Sequence, residues 1–298
     1  MDRDDFIIAV FLIVCEHYQT IQKQYRIRRG GFAPSLTDAE VITMEICGEY
    51  FKLGCDKDLY AYFHTHYLHF FPKLTDRSSF VRQAANLWQV KAAIQKRLVI
   101  VSGQMNDPVQ VIDTLPLPVC VLTRATRDHC FKTEADFGYC AAKDLHYYGF
   151  KLGLRISRLG MITHYPLLAA RPHDIQSLDT LLENFAGIAP ADKGFIDEYR
   201  HARLLEQHAI TVITPVRKNM QNSNLPKYLL RFCKRIRKFV ETVGSHLTER
   251  FAVDQIRVHD LWHFQHRLIR KILAHTVCVF LNLMFHRPPL DLDGLVSS

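Results

Sequence analysis

Apolar residues recur at helical spacing along the first third of the chain. Thr37 followed by Glu40 forms a capping box, the pattern in which both side chains satisfy backbone N–H groups at a helix start. Glycine and proline separate this segment from the helical segments that follow it. The helices predicted in this way cover about residues 37–51, 56–72 and 76–101. Residues 1–105 are therefore predicted to form an all-α domain.

After residue 106 the apolar period changes from helical spacing to alternation, which is typical of strands. Helical patterns follow the third, fourth and fifth of these strands. An order of three strands and then alternating helices and strands predicts an α/β fold, an RNase H-like mixed five-stranded sheet with flanking helices. The predicted strands cover 109–114, 150–156, 161–170, 187–195 and 209–216. The predicted domains are 1–105 (helical), 106–290 (catalytic, RNase H-like) and 291–298 (a C-terminal tail).

The distribution of charged residues indicates a class of ligand. The chain has 38 basic and 30 acidic residues, a net charge of +8 and a pI near 9.1. Between residues 214 and 240 there are eight cations and no acid. An isolated run of this kind is ordinarily a solvated helix face, but beside the candidate catalytic acids described below it favours a polyphosphate ligand. These cations are Arg217, Lys218, Lys227, Arg231, Lys234, Arg235, Arg237 and Lys238.

The sequence shows no pattern typical of a membrane or secreted protein. The longest mostly apolar runs, 6–15 and 276–285, are about half of the roughly 20 residues that span a bilayer, and both predict buried helices. No signal-peptide pattern follows the N-terminus. Eight scattered cysteines without a Cys-x-x-Cys pair favour reduced thiols. We expect a cytoplasmic protein with no membrane partner.

Cations also lie on the last predicted helix of the N-terminal domain, among them Arg77 and Arg82. Short helices bearing such residues are typical of a helix-turn-helix-like DNA-binding domain. A small helical packing domain explains the same pattern equally well, so both interpretations stay open.

Three acidic residues are the candidate catalytic groups. Asp113 ends the first predicted strand, Asp192 lies in Ala-Asp-Lys-Gly-Phe, and Glu241 lies on the basic helix one turn after Arg237. Carboxylate oxygens suit Mg²⁺ or Mn²⁺, and phosphodiester cleavage by two metal ions needs several of them. Asp197 and Glu198 are rivals of Asp192 for the same role.

The segments around these acids resemble a known family. Val-Ile-Asp113, Ala-Asp192-Lys-Gly-Phe and Arg237-x-x-x-Glu241-Thr-Val-x-Ser-x-Leu-Thr-x-Arg-Phe are similar to the DDE-type transposases of bacterial insertion sequences, in the branch with a Transposase DDE domain. The resemblance implies an RNase H-like core that uses two Mg²⁺ (or Mn²⁺) ions. It also implies a homodimer that nicks double-stranded DNA at the element's terminal inverted repeats and joins the 3′-hydroxyl to target DNA.

By the same resemblance, Asp113, Asp192 and Glu241 form the metal-binding triad. The expected DNA-binding residues are Arg237, Lys193, Lys234, Arg235, Lys238, Arg77 and Arg82. The chain departs from the wider family at two points. Thr248 stands where a lysine is frequent, with Arg250 as a candidate substitute, and Gly244 stands where an aromatic residue is frequent.

Other functions were weighed against transposition. A catalytically inactive DNA-binding protein, such as a repressor, would use the same basic segments, and an RNase H-like nuclease would cut without joining. A second candidate metal site is His259, His263 and His266 at helical spacing, which could bind zinc, although ordinary packing histidines are the favoured interpretation.

Overall fold

A computed structural model describes residues 1–28, 30, 33–141, 144–215 and 226–296. The chain divides into two compact units. The first unit comprises Met1–Val101, Glu249–Val253 and Trp262–Ser298, and the second comprises Ser102–Thr248 and Asp254–Leu261.

The first unit is built from helices, as predicted. Their bounds are α1 (Arg3–Gln24), α2 (Asp38–Tyr50), α3 (Asp56–His66), α4 (Arg77–Asn86), α5 (Trp88–Val101) and, later in the chain, α9 (Leu261–Met284). The capping box at Thr37 and Glu40 is present, and Asp76 rather than Thr75 caps α4. The single helix predicted over 76–101 is two helices, because the chain leaves helical geometry at the buried Leu87.

Helix α9 belongs to the first unit from Trp262 onward, whereas the predicted catalytic domain extended to residue 290. The physical reason is a buried ionic cluster. Two cations of α9 contact Glu49 of α2. Arg270 Nε lies 2.6 Å from Glu49 Oε1, and Lys271 Nζ lies 2.9 Å from Glu49 Oε2. Periodicity shows that α9 is apolar on several sides but cannot show which helices cover it.

Lys91 of α5 completes this cluster. Its Nζ lies 2.6 Å from Glu45 Oε2, and both side chains are fully buried. Burial lowers the pKa of Lys91 to about 8, while attraction to Glu45 opposes that shift. Burial and the neighbouring cations also lower the pKa of His266, which keeps that imidazole neutral beside Lys91. The cluster therefore places cations beside the glutamates of α2, a helix in which almost every residue is buried.

Replacement of Lys91 by methionine is expected to lower the free energy of unfolding by about 3–5 kcal/mol, because Glu45 would stay buried without its hydrogen-bonded cation. Arg270, whose Nη1 is 3.6 Å from Glu45 Oε1, would be its remaining cation. Lys96→Met is the matched control, since Lys96 is exposed on the same helix. Its effect should stay within about 0.5 kcal/mol. Urea denaturation measures both variants, and equal effects would contradict a structural role for the Lys91–Glu45 pair.

Among the described residues, the second unit contains a five-stranded antiparallel sheet in which β3 pairs with every other strand. Its strands are β1 (Gln110–Cys120), β2 (Asp136–Cys140), β3 (Leu145–Ser157), β4 (Ile162–His164) and β5 (Leu167–Ala169). Strands β4 and β5 replace the single hairpin partner predicted over 161–170, and β2 was not predicted.

The last two predicted strands form a separate parallel pair, β6 (Gly187–Pro190) and β7 (Ile210–Ile213). A parallel bridge between Val109 and Ile188 joins this pair to the start of β1. Gly187 permits the approach, because its φ is +134° and a Cβ there would lie 2.3 Å from the Pro108 carbonyl oxygen. The predicted mixed α/β architecture is confirmed, but the five strands of the large sheet are not the five that were predicted.

Helices α6 (Leu178–Leu181), α7 (Glu198–His208) and α8 (Lys227–Ser245) accompany these strands. Ile112 of β1 shares a buried core with residues of α6, α7, β6 and β7. Arg217 and Lys218 of the basic segment lie outside the described residues, as does the side chain of Lys227. Across the described ranges, no helix combines the length and the apolar character that crossing a membrane requires.

Candidate active site

Asp113 lies inside β1 rather than at its end, opposite Leu154 of β3. The strand continues through Pro116 and Pro118, which are tolerated where no partner needs a proline N–H. The Thr114 N–H donates a 2.8 Å hydrogen bond to Asp113 Oδ1. Burial raises the pKa of Asp113 to about 6, and the negative charges of Asp192 and Asp174 add to this effect. The hydrogen bond from Thr114 and the positive charge of Arg237 act in the opposite direction.

Asp192 follows β6, and its position depends on the parallel pairing of that strand. The Ala191 N–H donates to the Ile213 carbonyl, which extends the pairing by one residue, and a 3-10 turn over Lys193–Phe195 comes next. The Asp192 side chain is 52% exposed, and its Oδ1 accepts a 3.0 Å hydrogen bond from Arg237 Nη2. This acid therefore faces α8.

Helix α8 brings Arg237 and Glu241 to the same place. Its buried positions recur at helical spacing and are Cys233, Ile236, Val240 and Val243. Arg237 Nη2 lies 4.0 Å from Glu241 Oε1, so one guanidinium lies between Asp192 and Glu241. Asp192 and Arg237 also act on the pKa of Asp113, and Arg237 in turn is the residue that links Asp192 to Glu241.

Gly244 explains how closely α8 packs on β1. A Cβ at this position would lie 3.4 Å from Leu115 Cδ2, so a larger side chain would have to displace the strand residue. The helix continues through Gly244 to Ser245. Arg250 pairs with Asp293 and lies over the Tyr50 ring at 4.3 Å within the first unit. It is therefore occupied there, which does not support it as a substitute for the lysine that Thr248 replaces.

The rival acids have other partners. Asp197 is the N-cap of α7, and its Oδ1 accepts the Arg200 N–H at 3.0 Å. Glu198 is exposed in the first turn of that helix. Their geometry is that of a helix start, whereas Asp192 contacts the arginine that also faces Glu241.

Two residues near the site had no role in the sequence interpretation. Lys151 of β3 donates to Asp174 Oδ1 at 2.9 Å and to the Pro172 carbonyl at 2.6 Å. Asp174 begins a 3-10 turn that His173 precedes, and its carboxylate binds Lys151. A polar residue on the otherwise buried β3 was the only signal in the sequence.

The predicted DNA-binding residues fall in both units. Lys193, Lys234, Arg235 and Lys238 are exposed in the second unit, and Arg77 and Arg82 are exposed on α4 in the first. The Arg235 guanidinium lies 5.9 Å from the centroid of the Phe232 ring.

The three histidines considered for zinc do not form a metal site. His259 precedes α9 instead of lying on it, and its Nδ1 is 3.7 Å from Cys130 Sγ. His266 is buried beside Lys91. Within the described ranges, no three His, Cys, Asp or Glu side chains meet closely enough to hold a metal ion.

Comparison with known families decides the class of protein. Residues 103–261, just over half of the chain, match the family described as Transposase DDE domain. The chain belongs to this transposase family. No curated protein and no solved structure gives a significant match. DDE transposases act on DNA and generally use divalent metal ions.

The donor chemistry of the transposase site fits such ions. Asp113, Asp192 and Glu241 offer carboxylate oxygens, which hard divalent cations prefer. Burial is the main cause of the raised pKa of Asp113, the negative charge of Asp192 adds to it, and Arg237 opposes it. Asp192 and Glu241 are 52% and 64% exposed, so their side chains have room to reorient toward a cation.

Asp113→Asn is expected to stabilise the metal-free transposase at about pH 8 by about 1–3 kcal/mol, with little effect near pH 4. The pKa of Asp113 is about 6 in the folded protein, which is higher than in the unfolded chain. The wild type therefore loses stability as the pH rises from about 4 to 6, and its stability does not recover at higher pH. Asparagine stays uncharged and still accepts the Thr114 N–H.

Thermal unfolding with a chelator present, at both pH values, measures this difference. Asp197→Asn is the control, because it removes the same charge at a helix cap and keeps a capping acceptor. A gain for Asp113→Asn that is the same at both pH values would contradict the assigned cause.

Proposed function

We propose that this protein is a DNA transposase that binds the ends of an insertion sequence, cleaves there and joins the 3′-hydroxyl ends to target DNA. The observation that supports it most is the arrangement of Asp192 and Glu241 on either side of Arg237, with Asp113 in electrostatic reach. Family membership alone would not identify these residues as the catalytic ones.

The proposed core is RNase H-like, and its strand order supports that assignment. Strand β1 lies between β3, to which it is antiparallel, and β6, to which it is bridged in parallel. Strand β7 continues the parallel side. The sequence predicted only the order along the chain, three strands and then alternating helices and strands, and this arrangement is compatible with that order.

In the proposed mechanism, Asp113, Asp192 and Glu241 hold Mg²⁺ or Mn²⁺ as two ions. When bound, such ions supply Lewis-acid activation of the attacking oxygen and stabilisation of the leaving one. Arg237 donates to Asp192 and lies 4.0 Å from Glu241, so its charge neutralises part of theirs. On DNA, we propose that its guanidinium donates to a backbone phosphate, since bidentate donation to phosphate is the geometry arginine favours.

The proposed partner is double-stranded DNA, both the terminal inverted repeats and the target, bound by a homodimer. The exposed cations of α8 form one basic surface of the second unit, with Lys193 nearby in sequence to Asp192. Arg77 and Arg82 of the first unit are proposed as further phosphate contacts. Such a protein would act in the cytoplasm, at the nucleoid.

Asp113→Asn, Asp192→Asn and Glu241→Gln are each expected to reduce Mg²⁺-dependent nicking of element-end DNA on the order of 100-fold or more. The matched control is Asp197→Asn, five residues beyond Asp192, which keeps the α7 cap and should nick like the wild type. Gel analysis of supercoiled plasmid carrying the element ends measures all four variants.

Two other functions are outcomes of the same assay. Nicking that is unchanged in all three variants would contradict the assignment of the carboxylates. Salt-dependent binding of the element ends without any nicking, indifferent to Mg²⁺ and to the three carboxylates, would favour a DNA-binding protein without catalysis. Cleavage without joined products on added target DNA would indicate an RNase H-like nuclease.

Replacement of Lys234, Arg235 and Lys238 together by glutamine is expected to weaken duplex DNA binding and flatten its salt dependence. The slope of log K against log salt should fall by about 0.9 for each cation that neutralises a phosphate. The matched control replaces Arg124, Arg127 and Lys132, three exposed cations elsewhere in the same unit. Fluorescence anisotropy over a salt series measures the slopes, and equal losses in both triples would contradict a specific α8 surface.

A further inference from the structure

The first unit contains a pocket that the proposed catalytic site does not use. It has a volume of about 540 Å³ and lies between the first turns of α3 and α9 and one face of α4 along its whole length. Binding pockets for small molecules are typically about 300–1,000 Å³. Its size therefore suits a ligand as large as one nucleotide.

An exposed tryptophan forms one wall of this pocket. Trp262 is 45% exposed, although tryptophan is usually largely buried. Trp88 packs against it edge to face, with ring centroids 5.6 Å apart and an interplanar angle of 86°. The second ring restrains the first, so the pocket offers a flat aromatic surface that costs little entropy to use.

The remaining walls are positively charged. Lys57, Arg77 and Arg82 line the pocket, and across the described residues none of the three forms an ion pair. Asp56 also lines it, but its carboxylate is bound by Arg270 at 2.8 Å and by Arg267 at 2.5 Å. Attraction to these arginines lowers the pKa of Asp56 despite burial, which acts in the opposite direction. The pocket therefore keeps its positive charge.

We propose that this pocket binds an unpaired nucleotide of the DNA substrate, with the base stacked on Trp262 and its phosphates held by Lys57, Arg77 and Arg82. A paired base has both faces covered by its neighbours in the duplex, so only an unpaired one offers a face to Trp262. Aromatic stacking combined with cations along the backbone is the general means by which proteins hold single strands. Ser78 and Asn86 supply polar groups at the pocket wall for the edge of the base.

The inference rests on the proposed function in taking DNA as the ligand, but it does not need the three carboxylates. The chain has two tryptophans: Trp262 lines the pocket, and Trp88 packs against Trp262. Intrinsic tryptophan fluorescence therefore reports the pocket without a label. Titration of the full chain with oligothymidylate in metal-free buffer is expected to quench it, and a blunt duplex of equal length should quench it much less.

Trp262→Ala is expected to weaken oligothymidylate binding by about 5- to 150-fold in an anisotropy assay with labelled DNA, which is the range for loss of one stacked base. Trp262→Phe keeps an aromatic face and should recover most of the affinity. Because Trp262 is nearly half exposed, both variants are expected to fold, and circular dichroism checks this.

Lys57→Gln and Lys73→Gln form a matched pair for the charge. Both lysines are exposed in the first unit, but only Lys57 lines the pocket. Lys57→Gln should reduce the salt slope for single strands by about 0.7, the contribution of one phosphate contact, and Lys73→Gln should leave it unchanged.

The outcomes separate this inference from the proposed function. Quenching that persists in Asp113→Asn supports the pocket whether or not the wild type nicks DNA. Two outcomes would reject nucleotide binding in the pocket and leave the catalytic assignment unaffected. One is metal-dependent nicking without any preference for single strands, and the other is single-strand binding that Trp262→Ala leaves unchanged. Quenching by inorganic phosphate alone to the same extent would overturn the nucleotide assignment as well.

Discussion

A carboxylate removed from water requires a compensating positive charge, and this constraint organises both units. In the first unit it determines which helices meet. Glu45 and Glu49 lie on the deeply buried helix α2, and Lys91, Arg270 and Lys271 supply the opposite charges beside them. The positions of α5 and α9 follow from that requirement as much as from apolar packing.

In the second unit the same requirement is met only in part. Arg237 is one cation between Asp192 and Glu241, and burial with anionic neighbours still raises the pKa of Asp113. An arrangement that leaves negative charge uncompensated costs stability, and it is what a site for divalent cations requires. The carboxylates of α2 are thus balanced by buried cations, whereas Asp192 and Glu241 share Arg237 and stay largely exposed.

Helix α8 connects the fold to this site. Its apolar positions bury one face, and Gly244 lets it approach Leu115 closely. Arg237 and Glu241 consequently lie beside the strand that bears Asp113, while the outer face presents cations to solvent. A single amphipathic helix can therefore fix the third acid and offer a surface to DNA, because the two tasks use different faces.

The sequence by itself determined the helical character of the N-terminal region, the capping box of α2, the mixed α/β class and the family, since these depend on local periodicity and short motifs. It placed Asp113 at a strand end, because Pro116 and Pro118 resemble a strand terminus when pairing is unknown. It could not assign α9 to the first unit, since that depends on ion pairs between residues more than two hundred positions apart.

Only the tertiary structure separated Asp192 from Asp197. Both are acids after a weak strand, but one reaches Arg237 and the other caps α7. It also brought Lys151 and Asp174 close to the site and assembled the pocket around Trp262 from three helices distant in sequence. The physical reason is the same in each case: a side chain's role depends on its partners, and long-range partners are set by packing and charge compensation rather than by neighbouring residues.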